Sequence, residues 1–314
     1  MKTSTPLPAE LEAGAFTVRH ARSAGLSEKR MRGPDLHRAF HGVVSARPAG
    51  TVADRCAAYA ARMPSTGFFS GSTAAALHGA PVRSSVDLHV SVASPGRAPR
   101  GKGIIGHSVL VGVGDVVLRK GMHVSSVERT RCELAAEVSH EELVVAGDHF
   151  VCRRYPLTTV DRLRDAVGRY PGRRGHARLV PCLALLDPLA ESPQESRLRL
   201  RLASGGIAGF EANSEIATTS GRRYRGDLVF GSERVILEYQ GDHHRDPQQF
   251  RRDLSRQLDL QADGWVVVLL GPGDIADAGL VRRVRAILAA ARATTERRSA
   301  PQRSFRSSAQ AVSS

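Results

Sequence analysis

The order of apolar and polar residues predicts a chain of mixed helices and strands. In the middle of the chain, the runs VDLHVSV, HSVLVGV and VVLRKGMHVSS alternate with the period of a half-buried strand. Segments with helical periodicity surround them at residues 51–62, 72–78, 127–138, 141–150, 160–170 and 175–186. The pattern therefore predicts a mixed α/β middle region.

The C-terminal third predicts the order α, β, β-hairpin, α, β, α. Ser192 is a good N-cap, with Pro193 at the first helical position, and Gly205-Gly206 ends that helix. The later predicted elements are strands within 211–240, a helix after Asp246-Pro247, an apolar strand over 265–270 and a helix over 278–291. This order suits a small α/β domain with a mixed sheet.

The N-terminal 50 residues predict two short helices followed by a wing. A helix over Thr17–Ser23 precedes a Gly-containing turn, and Ser27 caps a second, basic helix. The run FHGVV at 40–44 then predicts a wing strand. This is the winged helix-turn-helix pattern, although unrelated helical hairpins share it. The predicted DNA contacts are Lys29, Arg30, Arg32 and Arg38.

Composition favours a nucleic-acid partner. The chain has 314 residues, enough for two or three domains, and a net charge of +14. The 45 basic residues are mostly arginine, and the surplus lies mainly in residues 1–187. Arginine suits phosphate and base-edge contacts, so DNA is the predicted partner; a generically basic protein is the alternative.

The cysteines and the hydropathy indicate a cytoplasmic protein. No two of the four cysteines share a CxxC spacing, so we expect free, mostly buried thiols in a reducing compartment. The first 30 residues contain no apolar signal-peptide core, and no run is long enough for a membrane span. A homodimer is possible.

The segment YRGDLVFGSERVILEYQGDHHR, residues 224–245, places carboxylates inside two apolar runs. If Gly231-Ser232 is a two-residue turn, Asp227 lies opposite Ile236. Glu238 is then its diagonal neighbour on the same face, within about 7–8 Å. Apolar residues on both faces predict a central strand, where a carboxylate needs a partner or a metal.

These residue types suit metal-dependent hydrolysis of a phosphodiester. Mg²⁺ (or Mn²⁺) prefers carboxylate oxygens, so Asp227 and Glu238 are the predicted ligands. Gln240 could position water or a phosphate oxygen, and His244 could act as a general acid/base. Some of these residues also have a structural interpretation: Asp227 fits the start of a strand, and His244 fits a solvated loop. Glu195, a further carboxylate in the preceding predicted helix, fits a capping box with Ser192.

Two further groups of polar residues have structural interpretations. Asp253, Arg256 and Asp259 on the following helix are interpreted as a salt-bridged solvent face. The histidines of the middle region, His78, His89, His107 and His123, are interpreted as separate satisfied or exposed side chains.

The pattern SPQESRLRLRL…YRGDLVF…RVILEYQGDHH…RRDLSRQLDLQADGW, over about residues 190–275, resembles the group related to very-short-patch repair endonucleases, within the PD-(D/E)xK nuclease superfamily. The resemblance implies a restriction-endonuclease-like fold and active-site roles for Glu195, Asp227, Glu238 and His244. The N-terminal region, through GLS and the wing HGVV, resembles the winged helix-turn-helix domain of AbiEi-type antitoxins.

Gln240 departs from these families. The endonuclease group usually has Asp there, and the superfamily more often has Lys. Gln can neither act as a base nor carry the charge of Lys, whereas metal binding by Asp227 and Glu238 survives the change.

The sequence therefore predicts a winged helix-turn-helix DNA-binding domain at 1–50, a mixed α/β middle domain of unknown role at 51–187, an endonuclease-like domain at 188–293, and a disordered basic tail at 294–314. The predicted function is metal-dependent endonuclease activity on DNA. The alternative is an antitoxin-type transcriptional regulator whose nuclease-like domain has lost its chemistry.

Overall fold

The computed structural model describes residues 6–12, 14–83, 85–172, 174–241 and 247–299. Contacts divide the chain into two compact units, Met1–Ser196 and Arg197–Ser314, and the division falls inside one helix. The structure is a mixed α/β protein, as the sequence predicts.

The first unit begins with short helices around a small antiparallel sheet. The elements are α1 (Ala9–Glu12), β1 (Ala15–Thr17), α2 (Val18–Ser23), α3 (Glu28–Met31), β2 (His37–Phe40) and β3 (Val43–Ser45), with strand order β1-β3-β2. The hydroxyls of Thr17 and Ser27 cap α2 and α3. The predicted single wing strand at 40–44 is wrong: β2 ends at Phe40 and the chain turns at His41-Gly42 into β3, because Gly42 adopts a φ of 74°.

The rest of the first unit surrounds a five-stranded sheet of order β6-β5-β4-β8-β7. Its elements are α4 (Val52–Ala60), β4 (Gly67–Phe69), α5 (Gly71–Leu77), β5 (Leu88–Ala93), β6 (Ile104–Val109), β7 (Val116–Arg119), β8 (Met122–Ser125), α6 (Val127–Leu134), α7 (His140–Val151), α8 (Val160–Arg169), a 3₁₀ turn (His176–Arg178) and α9 (Leu179–Leu183). One sheet face packs against α4 through Leu88, Val90 and Tyr59.

The mixed sheet predicted for the C-terminal third is confirmed. Its elements are α10 (Pro193–Ser204), β9 (Glu211–Ala217), β10 (Arg223–Phe230), β11 (Val235–Tyr239), α11 (Pro247–Ala262), β12 (Val266–Leu270) and α12 (Leu280–Ser299). The strand order is β12-β11-β10-β9; β11 and β12 are parallel and the other pairs antiparallel.

The C-terminal sheet is covered on both faces. Leu228, Phe230 and Leu237 pack on one face with Leu198 of α10 and Val284 of α12. On the opposite face, Val229 and Ile236 pack against Leu260 of α11. Since side chains alternate along a strand, Asp227 and Glu238 share the second face, which α11 covers.

The tail prediction is wrong at its start. Helix α12 continues to Ser299, because residues 293–297 (ATTER) contain no helix-breaking Gly or Pro. Residues 300–314 of the predicted tail lie outside the described residues.

All four cysteines are free and buried, as expected. Burial raises the pKa of Cys56 and of Cys132 to about 12, which keeps both as thiols at neutral pH. Among the described residues, the helices are all too short or too polar to cross a membrane.

Candidate functional site

The acidic pair lies on paired strands in a closer register than the sequence predicts. Leu228 pairs with Leu237 and Phe230 with Val235, so Asp227 faces Glu238 directly rather than Ile236. The connection is the four-residue turn Gly231–Arg234, in which Arg234 adopts a φ of 54°. The predicted register is wrong by two residues, but the predicted common face is retained because side chains repeat every two residues.

The turn is fixed by an ion pair that the sequence does not reveal. Glu233 is buried and accepts a hydrogen bond of 2.6 Å from Arg292 Nε of α12. A buried carboxylate needs such a partner, and α12 supplies it.

Glu238 is held by Arg256 of α11. Arg256 Nη1 donates to Glu238 Oε2 at 2.9 Å and Arg256 Nη2 donates to Oε1, so the contact is bidentate. Arg256 Nη2 also donates to the carbonyl of Arg225 at 2.7 Å. The interpretation of Arg256 as a solvent-face residue is therefore wrong: its side chain is only 24% exposed.

The charges around Arg256 stabilise its protonated form. Hydrogen bonding to Glu238 raises the pKa of the Arg256 guanidinium, burial opposes this, and the charges of Glu238, Asp227 and Asp253 add to the increase. The guanidinium also lies 5.8 Å from the centre of the Tyr224 ring. Arg256 thus brings a permanent positive charge to the acidic pair.

Asp227 is oriented by the backbone. Its Oδ2 accepts a hydrogen bond of 2.8 Å from the Tyr239 N–H on the neighbouring strand. This contact fixes the side chain toward β11, where Glu238 is the facing residue.

A pocket of about 260 Å³ lies between this sheet face and α11. Asp227, Glu238, Gln240, Asp253 and Arg256 line it. The Gln240 backbone N–H donates to the Leu270 carbonyl at 2.8 Å, so β12 fixes the position of this residue. The sequence-predicted Asp227, Glu238 and Gln240 are therefore brought together.

The other predicted site residues are placed differently. Glu195 belongs to the first unit, where its Oε2 accepts from the Glu191 N–H at 3.0 Å and its own N–H donates to Ser192 Oγ at 3.1 Å. Ser192 is thus the predicted cap. His244 lies outside the described residues.

Asp259 has a structural role one turn beyond Arg256. It accepts hydrogen bonds from the Tyr224 hydroxyl and from Arg222 Nη1, the latter at 2.8 Å. The Tyr224 bond and the Arg222 charge lower the pKa of Asp259. The salt-bridge interpretation holds for this residue, which ties α11 to β10.

The oxygen atoms that line this pocket are of the chemical type that a hard divalent cation prefers. Asp227 and Glu238 are facing carboxylates, with the Gln240 amide in the same pocket. In the described part of the chain, no three His, Cys, Asp or Glu side chains converge as metal ligands. Arg256 uses both oxygens of Glu238, so this ion pair must rearrange before Glu238 can bind a cation through the same lone pairs.

The side chains predicted to contact DNA differ in how strongly other groups of the protein hold them. Arg30 is held bidentately by Asp35 at 3.0 and 2.7 Å, and Arg38 Nη2 donates to the Met31 carbonyl at 3.1 Å. Lys29 and Arg32 are exposed, and Arg32 lies 3.7 Å from Glu28.

No family model matches the chain. It is 28% identical over 205 residues to MT2308 and Rv2248, two uncharacterized proteins of Mycobacterium tuberculosis strains CDC 1551 / Oshkosh and H37Rv. Each match covers 65% of this chain and 73% of the relative. The crystal structure of the RV2827C protein from M. tuberculosis matches 60% of this chain and 75% of its own, at a TM-score of 0.38 and 14% identity.

Proposed function

We propose that this protein is a DNA endonuclease that depends on Mg²⁺ or Mn²⁺. The observation that carries the proposal is the pair Asp227 and Glu238, which face each other on neighbouring strands in one pocket with Gln240 and Arg256. The divalent cation would be held by Asp227 and Glu238, and when bound it activates water and stabilises charge on a phosphate under attack.

Arg256 supplies the positive charge that Gln240 lacks. The resemblance leads us to expect a Lys or Asp where this chain has Gln240, and an amide carries no charge. Arg256 reaches the same pocket from α11 and remains protonated at any physiological pH. We infer that it exchanges Glu238 for a phosphate oxygen when a cation binds, since a guanidinium forms bidentate pairs with either anion.

DNA binding is proposed for the N-terminal segment through Lys29, Arg32 and Arg38, with Arg30 mainly structural because Asp35 holds it. Phosphate contacts release counterions, so affinity should fall steeply with salt. Replacing Lys29 and Arg32 with Ala should weaken duplex binding and reduce the slope of log K against log salt by about 2. A cytoplasmic location and a homodimer are part of the same proposal.

The test of activity is nicking of supercoiled plasmid by the purified full chain with Mg²⁺ or Mn²⁺. Asp227→Asn and Glu238→Gln should each reduce nicking at least about 100-fold, since each removes a charge that acts on the reacting phosphate. Glu215→Gln on β9 is the matched control, because Glu215 is exposed and pairs only at the surface with Arg223. Absence of nicking, or equal nicking by Asp227→Asn, would refute the proposal.

The second candidate is an antitoxin-type transcriptional regulator with an inactive nuclease-like unit. The observation favouring it is the closed ion pair between Glu238 and Arg256, next to Gln240. It predicts a footprint on specific duplex DNA and no metal-dependent cleavage. Footprinting and nicking on the same preparation therefore separate the two functions.

A further inference from the structure

A second polar pocket lies in the first unit, on the sheet face opposite the α4 core. Its volume is about 640 Å³, within the roughly 300–1,000 Å³ of small-molecule sites. Strands β5 and β6 form its floor, and the start of α5, the end of α6 and the end of α8 form its walls. It is independent of the proposed nuclease site.

The floor of this pocket is polar where a sheet face is usually apolar. His89 and Ser91 alternate with Leu88 and Val90 along β5, and both are buried. Ser91 Oγ donates to Ser70 Oγ at 2.7 Å. Buried polar side chains cost stability, so a continuous row of them facing a cavity indicates a ligand surface.

Two histidines that are 18 residues apart in sequence meet on this floor. The rings of His89 and His107 stack with centres 5.3 Å apart, and His107 Nε2 lies 3.3 Å from His89 Nδ1. His89 Nδ1 also lies 3.2 Å from Glu137 Oε1. A carboxylate only accepts, so we assign the proton to His89 Nδ1, shared between Glu137 and a neutral His107.

The carboxylates of the pocket are already engaged. Glu137 accepts from the Ser72 N–H at 2.9 Å as well as from His89. Glu133 accepts from the Gly71 N–H, the Ser125 hydroxyl and Arg129 Nε at 2.7–2.9 Å. Both carboxylates are therefore hydrogen-bonded within the protein, and Arg129 is shared between Glu133 and Asp115.

Two arginines lie at the rim of the pocket. Arg83 and Arg174 line the pocket and are exposed. Within the described ranges of the chain, neither guanidinium makes a hydrogen bond or an ion pair. Tyr170 and apolar side chains of β6 complete the wall.

We propose that this pocket binds a small organic phosphate that also carries hydroxyl groups. Arg83 and Arg174 bind the phosphate, because guanidinium groups pair bidentately with phosphate oxygens. The floor formed by Ser70, His89 and His107 binds the hydroxyl groups through its hydroxyl and imidazole atoms.

The test measures binding of ribose 5-phosphate, ribose and inorganic phosphate to the full chain by calorimetry. Ribose 5-phosphate should bind at least tenfold more tightly than either fragment, since only it contacts both the arginines at the rim and the polar side chains of the floor. The double variant Arg83→Ala/Arg174→Ala should lose at least tenfold in affinity for ribose 5-phosphate. His107→Gln should lose several-fold for ribose 5-phosphate and nothing for inorganic phosphate.

The matched control is Arg97→Ala/Arg100→Ala, which removes the same charge from exposed positions that do not line the pocket. It should keep the wild-type affinity. An equal loss of affinity for ribose 5-phosphate in the two double variants would show that the loss depends only on net charge, and would overturn the proposal. Undetectable binding of ribose 5-phosphate at millimolar concentration, or unchanged affinity in His107→Gln, would also overturn it.

Discussion

Both units contain a carboxylate that lies in a pocket against a sheet face, but they hold it in opposite ways. In the second unit, Glu238 is held by the long side chain of Arg256 from a covering helix. In the first unit, Glu137 is held by a backbone N–H and a histidine. A guanidinium on a flexible stem can exchange its partner, whereas a backbone donor cannot move. The guanidinium in the second unit therefore suits a carboxylate that changes partners. The backbone donor in the first unit suits a carboxylate that positions a neighbouring side chain.

The pKa shifts follow the same division. Burial raises the pKa of Glu137, but its hydrogen bond to His89, the His89 charge and the Ser72 N–H outweigh burial and leave it lowered. In the second unit, the resolved shift falls on the cation, where bonding to Glu238 raises the pKa of Arg256. The two carboxylates therefore differ in their donors: a histidine and a backbone N–H hold Glu137, and a guanidinium holds Glu238.

The largest expected effect on stability concerns Glu137, which the backbone holds in place. Gly71 has a φ of 53°, and a Cβ there would lie 1.9 Å from Glu137 Oε1. Gly71→Ala should lower the free energy of unfolding by about 3 kcal/mol or more, from the left-handed backbone and the displaced carboxylate. Urea denaturation measures it. Gly121→Ala is the control, because Gly121 has a φ of 75° and open space around it; an equal cost in both would exclude the steric effect.

The second largest expected effect concerns Glu238, whose guanidinium partner can exchange. Arg256→Met should cost about 2 kcal/mol of unfolding free energy, because Glu238 is left partly buried without its counter-charge. The same variant should bind Mn²⁺ more tightly, since the cation no longer competes with a guanidinium, and should nick DNA more slowly. Calorimetry and thermal denaturation measure the first two changes. Arg223→Met removes an exposed ion pair and should change neither.

A smaller effect concerns pH in the first unit. Burial lowers the pKa of His107 from 6.5, and the His89 charge lowers it further. A lowered folded pKa means that stability is complete above pH 6.5 and is lost as pH falls through the folded value. His107→Gln should therefore flatten the fall in unfolding free energy between pH 7 and 5, which urea denaturation at each pH measures. If the exposed His123→Gln flattens it equally, His107 is not the cause.

The smallest effect concerns how α11 is held. The Tyr224 hydroxyl donates to Asp259, and its ring lies beside Arg256. Tyr224→Phe removes only the hydroxyl and should cost about 1 kcal/mol in thermal denaturation. Nicking should remain near wild-type; a loss as large as that of Arg256→Met would instead place the hydroxyl in the site.

The sequence predicts the acidic face because that face depends only on parity. Asp227 and Glu238 share a face in any register that differs by two residues, so the predicted face is right although the predicted turn is wrong. The turn itself could not be predicted, since Glu233 is buried by Arg292, which is 59 residues later. The interpretation of Arg256 is wrong for a related reason: a helical pattern shows which residues share a face, not which sheet residue lies beneath them.

The histidine pocket shows the limit of pattern reasoning more clearly. His89 and His107 meet because β5 and β6 are parallel neighbours, with Ser91 opposite His107. Sequence spacing carries no information on that pairing, so the sequence predicts separate histidines. A polar row on one face of β5 was visible in LHVSVA, and it was the available signal.

The bond between Glu233 and Arg292 has a consequence for the order of synthesis. The hairpin that carries the acidic pair is complete when residue 239 has been made, but the ion pair that fixes its turn requires α12. During translation, chains therefore elongate by more than 50 residues before this contact can form. A nascent chain held between residues 270 and 291 has every residue that lines the acidic pocket and lacks the ion pair at the turn of its hairpin.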